Sequence, residues 1–169
     1  MITYNKKICL IGDFSVGKTS LVSRYVNNVF SEKYQTTVGV SILTRETMVC
    51  KDVRIKFILW DIAGADKLST VSRSYLSGAN GYILVADGTQ KATIETALTL
   101  KASVDTQLNN PRTISLLNKH DLAESWAADA EFLQQTSQDT QWQMTSAKTG
   151  EGVEASFLLL AKRFLDDAE

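Results

Sequence analysis

Short apolar runs bounded by turn residues recur along the chain, and they predict β-strands that are buried on both faces. These runs lie at residues 7–11, 53–60, 81–86 and 113–117, with a weaker one at 142–145. Their length, four to eight residues, is typical of strands in the interior of a sheet.

Stretches with helical spacing of apolar residues separate the strands. The predicted helices cover residues 18–26, 67–76, 93–108, 127–136 and 153–165. Parallel neighbours need a crossover connection, and the right-handed crossover is strongly preferred. The alternation of strand and helix therefore predicts a mostly parallel sheet with helices on both faces.

One predicted strand, at residues 38–49, does not fit this alternation. It leads through Cys50-Lys51-Asp52 directly into the next strand, which leaves room only for a hairpin and so for an antiparallel edge strand. The predicted fold is α/β, with a six-stranded sheet, one antiparallel edge strand and about five helices. The sequence contains no repeat, low-complexity tract or Pro/Gly-rich linker, so we expect one domain over residues 1–169.

Composition narrows the class of protein. The net charge is −1 and the basic residues are scattered, so we expect no nucleic-acid partner.

Cys9 and Cys50 both lie in apolar stretches, where a reduced cysteine is typically a small buried hydrophobe. No apolar run reaches the roughly 18 to 20 residues that span a bilayer, and residues 1–7 do not resemble an export signal. We therefore expect a cytoplasmic protein.

A glycine-rich motif follows the first strand. Gly-Asp-Phe-Ser-Val-Gly-Lys-Thr at residues 12–19 fits GxxxxGK[ST] and opens a helix, the setting in which that motif binds phosphate. Glycine backbones let successive N–H groups converge on phosphate oxygens beside a positive helix terminus. Lys18 adds a cation for the β- and γ-phosphates, and the Thr19 hydroxyl is a hard oxygen ligand of the kind that Mg²⁺ prefers.

Asp61 ends an apolar strand in the sequence Asp-Ile-Ala-Gly at residues 61–64. A lone Asp-x-x-Gly is also common in ordinary turns, but downstream of a phosphate loop it predicts a carboxylate that holds Mg²⁺ opposite Thr19, directly or through water. The N–H of Gly64 is predicted to meet the γ-phosphate.

Asn-Lys-His-Asp at residues 118–121 follows the strand at 113–117 and indicates which base is bound. The Asp121 carboxylate can accept from both N1–H and N2–H of guanine. Adenine lacks this pair of donors and would leave the carboxylate desolvated and unpaired. Guanine is therefore favoured over adenine.

The order of the motifs resembles the Ras superfamily of small GTPases over nearly the whole chain. The motifs are the phosphate loop, a threonine loop (Tyr-Gln-Thr-Thr-Val-Gly at 34–39), Asp-x-x-Gly, Asn-Lys-x-Asp and Ser-Ala-Lys at 146–148. The resemblance implies the G domain of a P-loop NTPase that binds GTP or GDP with Mg²⁺ and hydrolyses GTP. Residues 38–42, 56–64 and 73–78 are similar to signatures of the Rab branch.

The resemblance also implies roles position by position. The predicted phosphate-binding residues are Asp13, Phe14, Ser15, Val16, Gly17, Lys18, Thr19, Ser20, Thr37 and Gly64. Those for guanine are Phe30, Asn118, Lys119, Asp121, Ser146, Ala147 and Lys148. The predicted Mg²⁺ ligands are Thr19, Thr37 and Asp61, and the predicted catalytic residues are Lys18, Thr37 and Gly64.

Partner surfaces are implied in the same way. Effectors, exchange factors and activating proteins are expected to bind switch loops at about residues 32–42 and 62–77. Ile42, Trp60 and Tyr75 match an apolar effector-facing cluster, although the first position is usually aromatic. Ordinary packing is the alternative for these three residues.

The sequence departs from the family at two positions near the expected γ-phosphate. Ala65 replaces the glutamine that orients the attacking water, and Asp66 follows it. Phe14 stands where a small residue is common, and its ring would obstruct a partner's arginine. These changes predict slow intrinsic hydrolysis, unless an activating protein supplies its own glutamine.

The last residues, 163–169, carry no lipidation signal, so membrane association would need a further segment or a partner. A guanine-nucleotide-binding adaptor with little turnover is the main alternative function. An ATP-dependent kinase on the same loop is a third hypothesis, and the motifs at 118–121 and 146–148 argue against it.

Overall fold

The fold, in a computed structural model, is described at residues 1–33, 36–63, 73–137 and 139–166, and it is built on a six-stranded sheet. The strands are β1 (Ile2–Gly12), β2 (Val40–Cys50), β3 (Val53–Ile62), β4 (Gly81–Asp87), β5 (Arg112–Asn118) and β6 (Trp142–Met144). The helices are α1 (Lys18–Asn27), α2 (Arg73–Leu76), α3 (Lys91–Gln107), α4 (Ala130–Thr136) and α5 (Val153–Arg163), with a short 3₁₀ turn at Ala123–Ser125.

The strand order is β2-β3-β1-β4-β5-β6. β1 pairs in parallel with β3 and β4, and the parallel pairing continues through β5 to β6. β2 alone is antiparallel, paired with β3 at the edge of the sheet. The predicted α/β fold with one antiparallel edge strand is therefore confirmed.

Two apolar cores cover the two faces of the sheet. On one face, α1 and α5 meet, and the ring of Tyr25 stacks on that of Phe157 with centroids 3.7 Å apart and planes within 5°. On the other face, α3 packs Ile94, Leu100 and Val104 against the sheet. Helices on both faces bury the central strands, and every residue of β4 is buried. None of the described helices is long and apolar enough to cross a membrane.

Several element boundaries differ from the sequence prediction. β1 begins at Ile2 rather than residue 7, because its first residues pair with β3 from Val53 onward. α4 begins at Ala130 rather than residue 127, because the Asp129 carboxylate caps the helix by accepting from the Phe132 N–H at 2.8 Å. α5 ends at Arg163 rather than 165.

The predicted helix at 67–76 is described only for Arg73–Leu76, and residues 67–72 lie outside the described part of the chain.

The burial prediction was wrong at the edges of the sheet. β6 is only half-buried, because an edge strand has one neighbour and this one is three residues long. Cys50 is exposed at the end of edge strand β2, whereas Cys9 in central strand β1 is buried as expected. An apolar sequence run at an edge therefore did not imply burial.

The two cysteines should differ sharply in reactivity. Burial raises the pKa of the Cys9 thiol to about 11, while Cys50 is exposed to solvent. Because the thiolate is the nucleophile, we expect a maleimide at about pH 8 to label the native protein only at Cys50. Mass spectrometry of Cys50→Ser should show no label until denaturant is added, and rapid native labelling of that variant would contradict the assignment.

Truncation of Phe157 should cost much more stability than truncation of Leu159 on the same helix. Phe157 is fully buried against Tyr25 and Phe57, whereas Leu159 is only partly buried. We expect Phe157→Ala to lower the free energy of unfolding by roughly 3–5 kcal/mol. Urea unfolding of the two alanine variants measures the difference, and equal losses would show that the aromatic stack is not central to this core.

Candidate functional site

A cavity of about 380 Å³ opens where the carboxyl ends of the parallel strands meet. Ligands of open α/β sheets bind at this edge, and the volume suits a small-molecule ligand. Its walls come from the loop after β1, the first turns of α1, residues 30–33, and the loops after β5 and β6.

The loop after β1 has the backbone geometry of a tight phosphate cradle. Gly17 has φ +98°, and a Cβ there would lie 2.2 Å from the Asn118 side-chain nitrogen, so only glycine fits. The Lys18 ammonium lies inside the loop and donates to the carbonyls of Gly12 at 3.1 Å and Asp13 at 2.9 Å. Burial lowers the pKa of Lys18 to about 8, so an anion beside it would favour its charged form.

Two threonines and one aspartate converge at the phosphate-loop end of the cavity. The Thr19 hydroxyl donates to Asp61 Oδ2 at 2.6 Å and lies 2.6 Å from the Thr37 hydroxyl. Asp61 is buried, and among the residues that the structure describes its Oδ1 has no hydrogen-bond partner. Burial raises the pKa of Asp61, opposed by the hydrogen bond from Thr19 and by the charge of Lys18.

These residues fit a bound Mg²⁺. An unpaired buried carboxylate oxygen is costly, and a hard cation would offset that cost. The donors are a carboxylate and two hydroxyls, which are oxygen ligands of the kind that Mg²⁺ takes while keeping several waters. The predicted set of Thr19, Thr37 and Asp61 is therefore brought together in the structure.

Asn118 connects this loop to the far end of the cavity. Its side-chain nitrogen donates to the Val16 carbonyl at 3.0 Å. Its side-chain oxygen accepts from the Ala147 N–H at 3.2 Å and from the Thr145 hydroxyl at 3.3 Å. One buried amide thus fixes the distance between the phosphate loop and the loop that follows β6.

Asp121 lies beside that second loop. Its Oδ1 accepts from the Ser146 hydroxyl at 2.7 Å, which orients the carboxylate. The Lys148 ammonium lies 3.3 Å from the Glu32 carboxylate, and Phe30 lines the wall near Glu32. The cavity thus offers a planar ligand both an oriented carboxylate acceptor and an aromatic ring.

Arg24 of α1 supports the same loop and was not identified from sequence. Its guanidinium donates to the carbonyls of Ala147 at 2.7 Å and Lys148 at 2.5 Å, and to the side chain of Asn28 at 3.2 Å. Because α1 begins in the phosphate loop, this contact ties the two ends of the cavity together a second time. An arginine on a half-buried helix face gave no sequence signal for this role.

Most of the sequence-predicted residues lie on the cavity wall. From the phosphate set these are Phe14, Ser15, Gly17, Lys18, Thr19, Ser20 and Thr37, and from the guanine set they are Phe30, Asn118, Lys119, Asp121, Ala147 and Lys148. Asp13, Val16 and Ser146 are not among the lining residues, and Gly64 and Ala65 lie outside the described residues. Unpredicted lining residues are Ser23, Ser31, Glu32, Lys33 and Leu122.

The three residues proposed to face effectors lie near each other, away from the cavity wall. Ile42 pairs with Trp60 across β2 and β3, and the Trp60 ring lies 6.5 Å from that of Tyr75. Ile42 is 51% exposed. Lys7 places its ammonium 3.7 Å from the centroid of Trp60 and also donates to the Ser77 carbonyl at 2.7 Å. The cluster is thus partly exposed and connects β2, β3 and α2.

Known proteins with similar sequences identify the family of this chain. The Ras family model matches residues 7–166. The chain is 33% identical to the GTP-binding protein ypt5 of Schizosaccharomyces pombe, over 96% of this chain and 79% of that protein. It is 34% identical to the Ras-related protein Rab-1 of Theileria parva (96% and 76% covered) and to RABF2b of Arabidopsis thaliana (94% and 80% covered). The chain therefore belongs to the Ras family of small GTPases, in its Rab branch.

Proposed function

We propose that this Rab-like GTPase is a Mg²⁺-dependent switch that binds GTP and GDP tightly and hydrolyses GTP slowly. The proposal is supported by the buried Asp61 carboxylate oxygen beside Thr19 and Thr37, which has no hydrogen-bond partner among the residues that the structure describes. A cation site at one end of the cavity and an oriented carboxylate at the other match the two ends of a guanine nucleotide.

The phosphates would be held by backbone N–H groups and one cation. The loop from Asp13 to Ser20 supplies the N–H groups at the start of α1, where the helix dipole also favours negative charge. Lys18 supplies the buried positive charge, and its present acceptors are carbonyls of its own loop. When bound, Mg²⁺ neutralises charge on the β- and γ-phosphate oxygens.

Guanine would be recognised at the other end of the cavity. Asp121, oriented by Ser146, would accept from the two N–H donors of the guanine edge. The Ala147 N–H, which donates to the Asn118 side-chain oxygen in the structure, would share its hydrogen between that oxygen and the base carbonyl. Phe30 and the stem of Lys119 would pack against the ring. These groups together would exclude adenine, whose edge has a different donor pattern.

Switching would depend on Thr37 and Gly64. The Thr37 hydroxyl already lies next to that of Thr19, so a γ-phosphate and Mg²⁺ would hold residues 32–42 in place. Loss of that phosphate would release both switch loops, and the cluster of Ile42, Trp60 and Tyr75 would report the change to effectors. Exchange factors and activating proteins would bind the same loops.

Slow hydrolysis is proposed from two residues that the resemblance to the family places near the γ-phosphate. Ala65 has no group that can orient water, where the family carries glutamine. Phe14 is 51% exposed and lines the cavity, where its ring would obstruct an arginine from a partner. The same two residues support the second candidate function, an adaptor that retains GTP with little turnover.

Base specificity should be strong and should depend on Asp121. With Mg²⁺ we expect GTP to bind roughly 10⁴-fold more tightly than ATP, because the site presents a carboxylate to the guanine edge. Asp121→Ala should weaken GTP binding and leave ATP binding nearly unchanged, while Glu124→Ala, an exposed neighbour, should change neither. Titration calorimetry of the three proteins measures this, and equal affinity of the wild type for GTP and ATP would overturn the proposed function.

Hydrolysis should increase when the family residues are restored. We expect Ala65→Gln to raise the single-turnover rate roughly tenfold to a hundredfold, because it returns a group that positions water. Phe14→Ser should leave the intrinsic rate little changed and increase the response to an activating protein that carries an arginine. Released phosphate is the readout. A wild-type rate equal to that of glutamine-containing relatives, or no change in Ala65→Gln, would contradict slow hydrolysis by this mechanism.

A further inference from the structure

Asp87 is a buried carboxylate at the carboxyl end of β4, next to the proposed base site. Its side chain is 2% exposed and forms an ion pair with Lys119, whose ammonium lies 2.9 Å from Asp87 Oδ2. Lys119 itself lines the cavity. The buried charge of Asp87 thus lies directly behind a lysine that lines the cavity.

The other oxygen of Asp87 is also engaged. Oδ1 accepts from the backbone N–H of Thr89 at 2.9 Å and from its hydroxyl at 2.6 Å. These bonds fix the orientation of the carboxylate, so its Oδ2 is held toward the Lys119 ammonium. A buried charge that is held this firmly acts as a fixed anchor for its cationic partner.

The backbone fixes where Lys119 starts. Asp87 is in register with Asn118 across β4 and β5, and the Gly88 N–H donates to the Asn118 carbonyl at 3.1 Å. Lys119 then adopts φ 68°, a left-handed conformation that is uncommon for a lysine. Both ends of the Lys119 side chain are therefore set, and its stem is held along the cavity.

A second carboxylate lines the same cavity as Lys119. Asp121 is two residues from Lys119 in the chain and lines the same cavity. Its Oδ1 accepts from Ser146, and within the described part of the chain no hydrogen bond involves its Oδ2. An unanchored lysine would be drawn toward this oxygen by charge, and it would then occupy the acceptor that the base needs.

We propose that Asp87 is a positioning residue that sets base specificity, because its ion pair holds Lys119 away from Asp121. This inference rests on the proposed guanine site. Asp87 itself does not contact the ligand. It keeps the Asp121 carboxylate available as an acceptor, and it keeps the Lys119 stem extended along the base. Loss of the anchor would damage recognition of the guanine amino group more than binding in general.

Inosine nucleotides provide the readout. Hypoxanthine lacks the exocyclic amino group of guanine, so IDP offers Asp121 one donor fewer than GDP does. The ratio of the IDP to the GDP dissociation constant therefore measures how well Asp121 accepts from that group. A defect that only loosened the fold would weaken the binding of both nucleotides by the same factor and leave the ratio unchanged.

The test is Asp87→Asn, which preserves the side-chain shape and an oxygen for Thr89 but removes the charge. We expect the IDP:GDP ratio, measured by nucleotide competition in Mg²⁺, to fall by about tenfold, the value of a hydrogen bond to a charged group. Asp105→Asn is the control, because it removes an Asp–Lys ion pair with Lys101 at the surface, outside the cavity lining, and keeps an oxygen for the Tyr82 hydroxyl; its ratio should equal that of the wild type. An unchanged ratio in Asp87→Asn would overturn the proposal.

Lys119→Met is the second single variant of a double-mutant cycle with Asp87→Asn. It remains informative if Asp87→Asn does not fold. Methionine keeps an apolar stem without a cation, so we expect both nucleotides to bind more weakly and the ratio to stay near that of the wild type. Adding Asp87→Asn to Lys119→Met should produce no further change in the ratio. A reduced ratio in Lys119→Met, or a further fall in the double variant, would show that the lysine is not the competitor.

The guanine site and the role of Asp87 are tested by different outcomes. If the wild type shows no preference for GDP over ADP, the guanine site itself is wrong. If the wild type prefers GDP and discriminates against IDP, but Asp87→Asn does so equally well, only the role of Asp87 is wrong.

Discussion

The side-chain amide of Asn118 is the interaction on which the rest of the site depends. It bonds at one end to the phosphate loop at Val16 and at the other to Ala147 and Thr145. Its amide nitrogen lies so close to Gly17 that no side chain fits there. Because the amide is buried, each of these bonds is costly to leave unmade. The loops after β1, β5 and β6 are therefore held as one rigid frame.

Three charged side chains are buried at the same end of the sheet as that frame. Lys18 begins α1, and Asp61 and Asp87 lie near the ends of β3 and β4; all three are less than a tenth exposed. Burial of ions costs several kcal/mol each unless partners compensate for it. Lys119 and Thr89 compensate Asp87, whereas one oxygen of Asp61 has no partner among the described residues. Asp87 is thus a carboxylate with a structural partner, whereas Asp61 is suited to a ligand.

The fold was predictable because its determinants are local and periodic. Buried strands produced continuous apolar runs, and the short connection through Cys50-Lys51-Asp52 allowed only a hairpin. The start of α4 was missed because the Gly88 carbonyl accepts from the N–H groups of Ala127 and Ala128, a tertiary contact without a sequence pattern. The exposure of Cys50 was missed because an apolar run does not reveal which strand lies at an edge.

The site was predictable only where a motif specifies the residues. The phosphate loop and Asn-Lys-His-Asp have fixed spacing because one ligand contacts several of their atoms. Asp87 and Arg24 support those motifs from other elements, so their positions depend on packing rather than spacing. Asp87 nevertheless had a signal, since a lone carboxylate ends a strand whose other residues are all apolar or glycine.

Two of the three tryptophans are built-in optical reporters at separate places in the molecule. Trp60 packs between Tyr75 and the ammonium of Lys7, so movement of α2 would change the polarity around its indole. Trp126 lies against Gly88 and meets the His120 ring edge-on at 4.9 Å, next to the loop that would hold the base. Fluorescence from the first would follow the effector-facing cluster, and fluorescence from the second would follow the base loop.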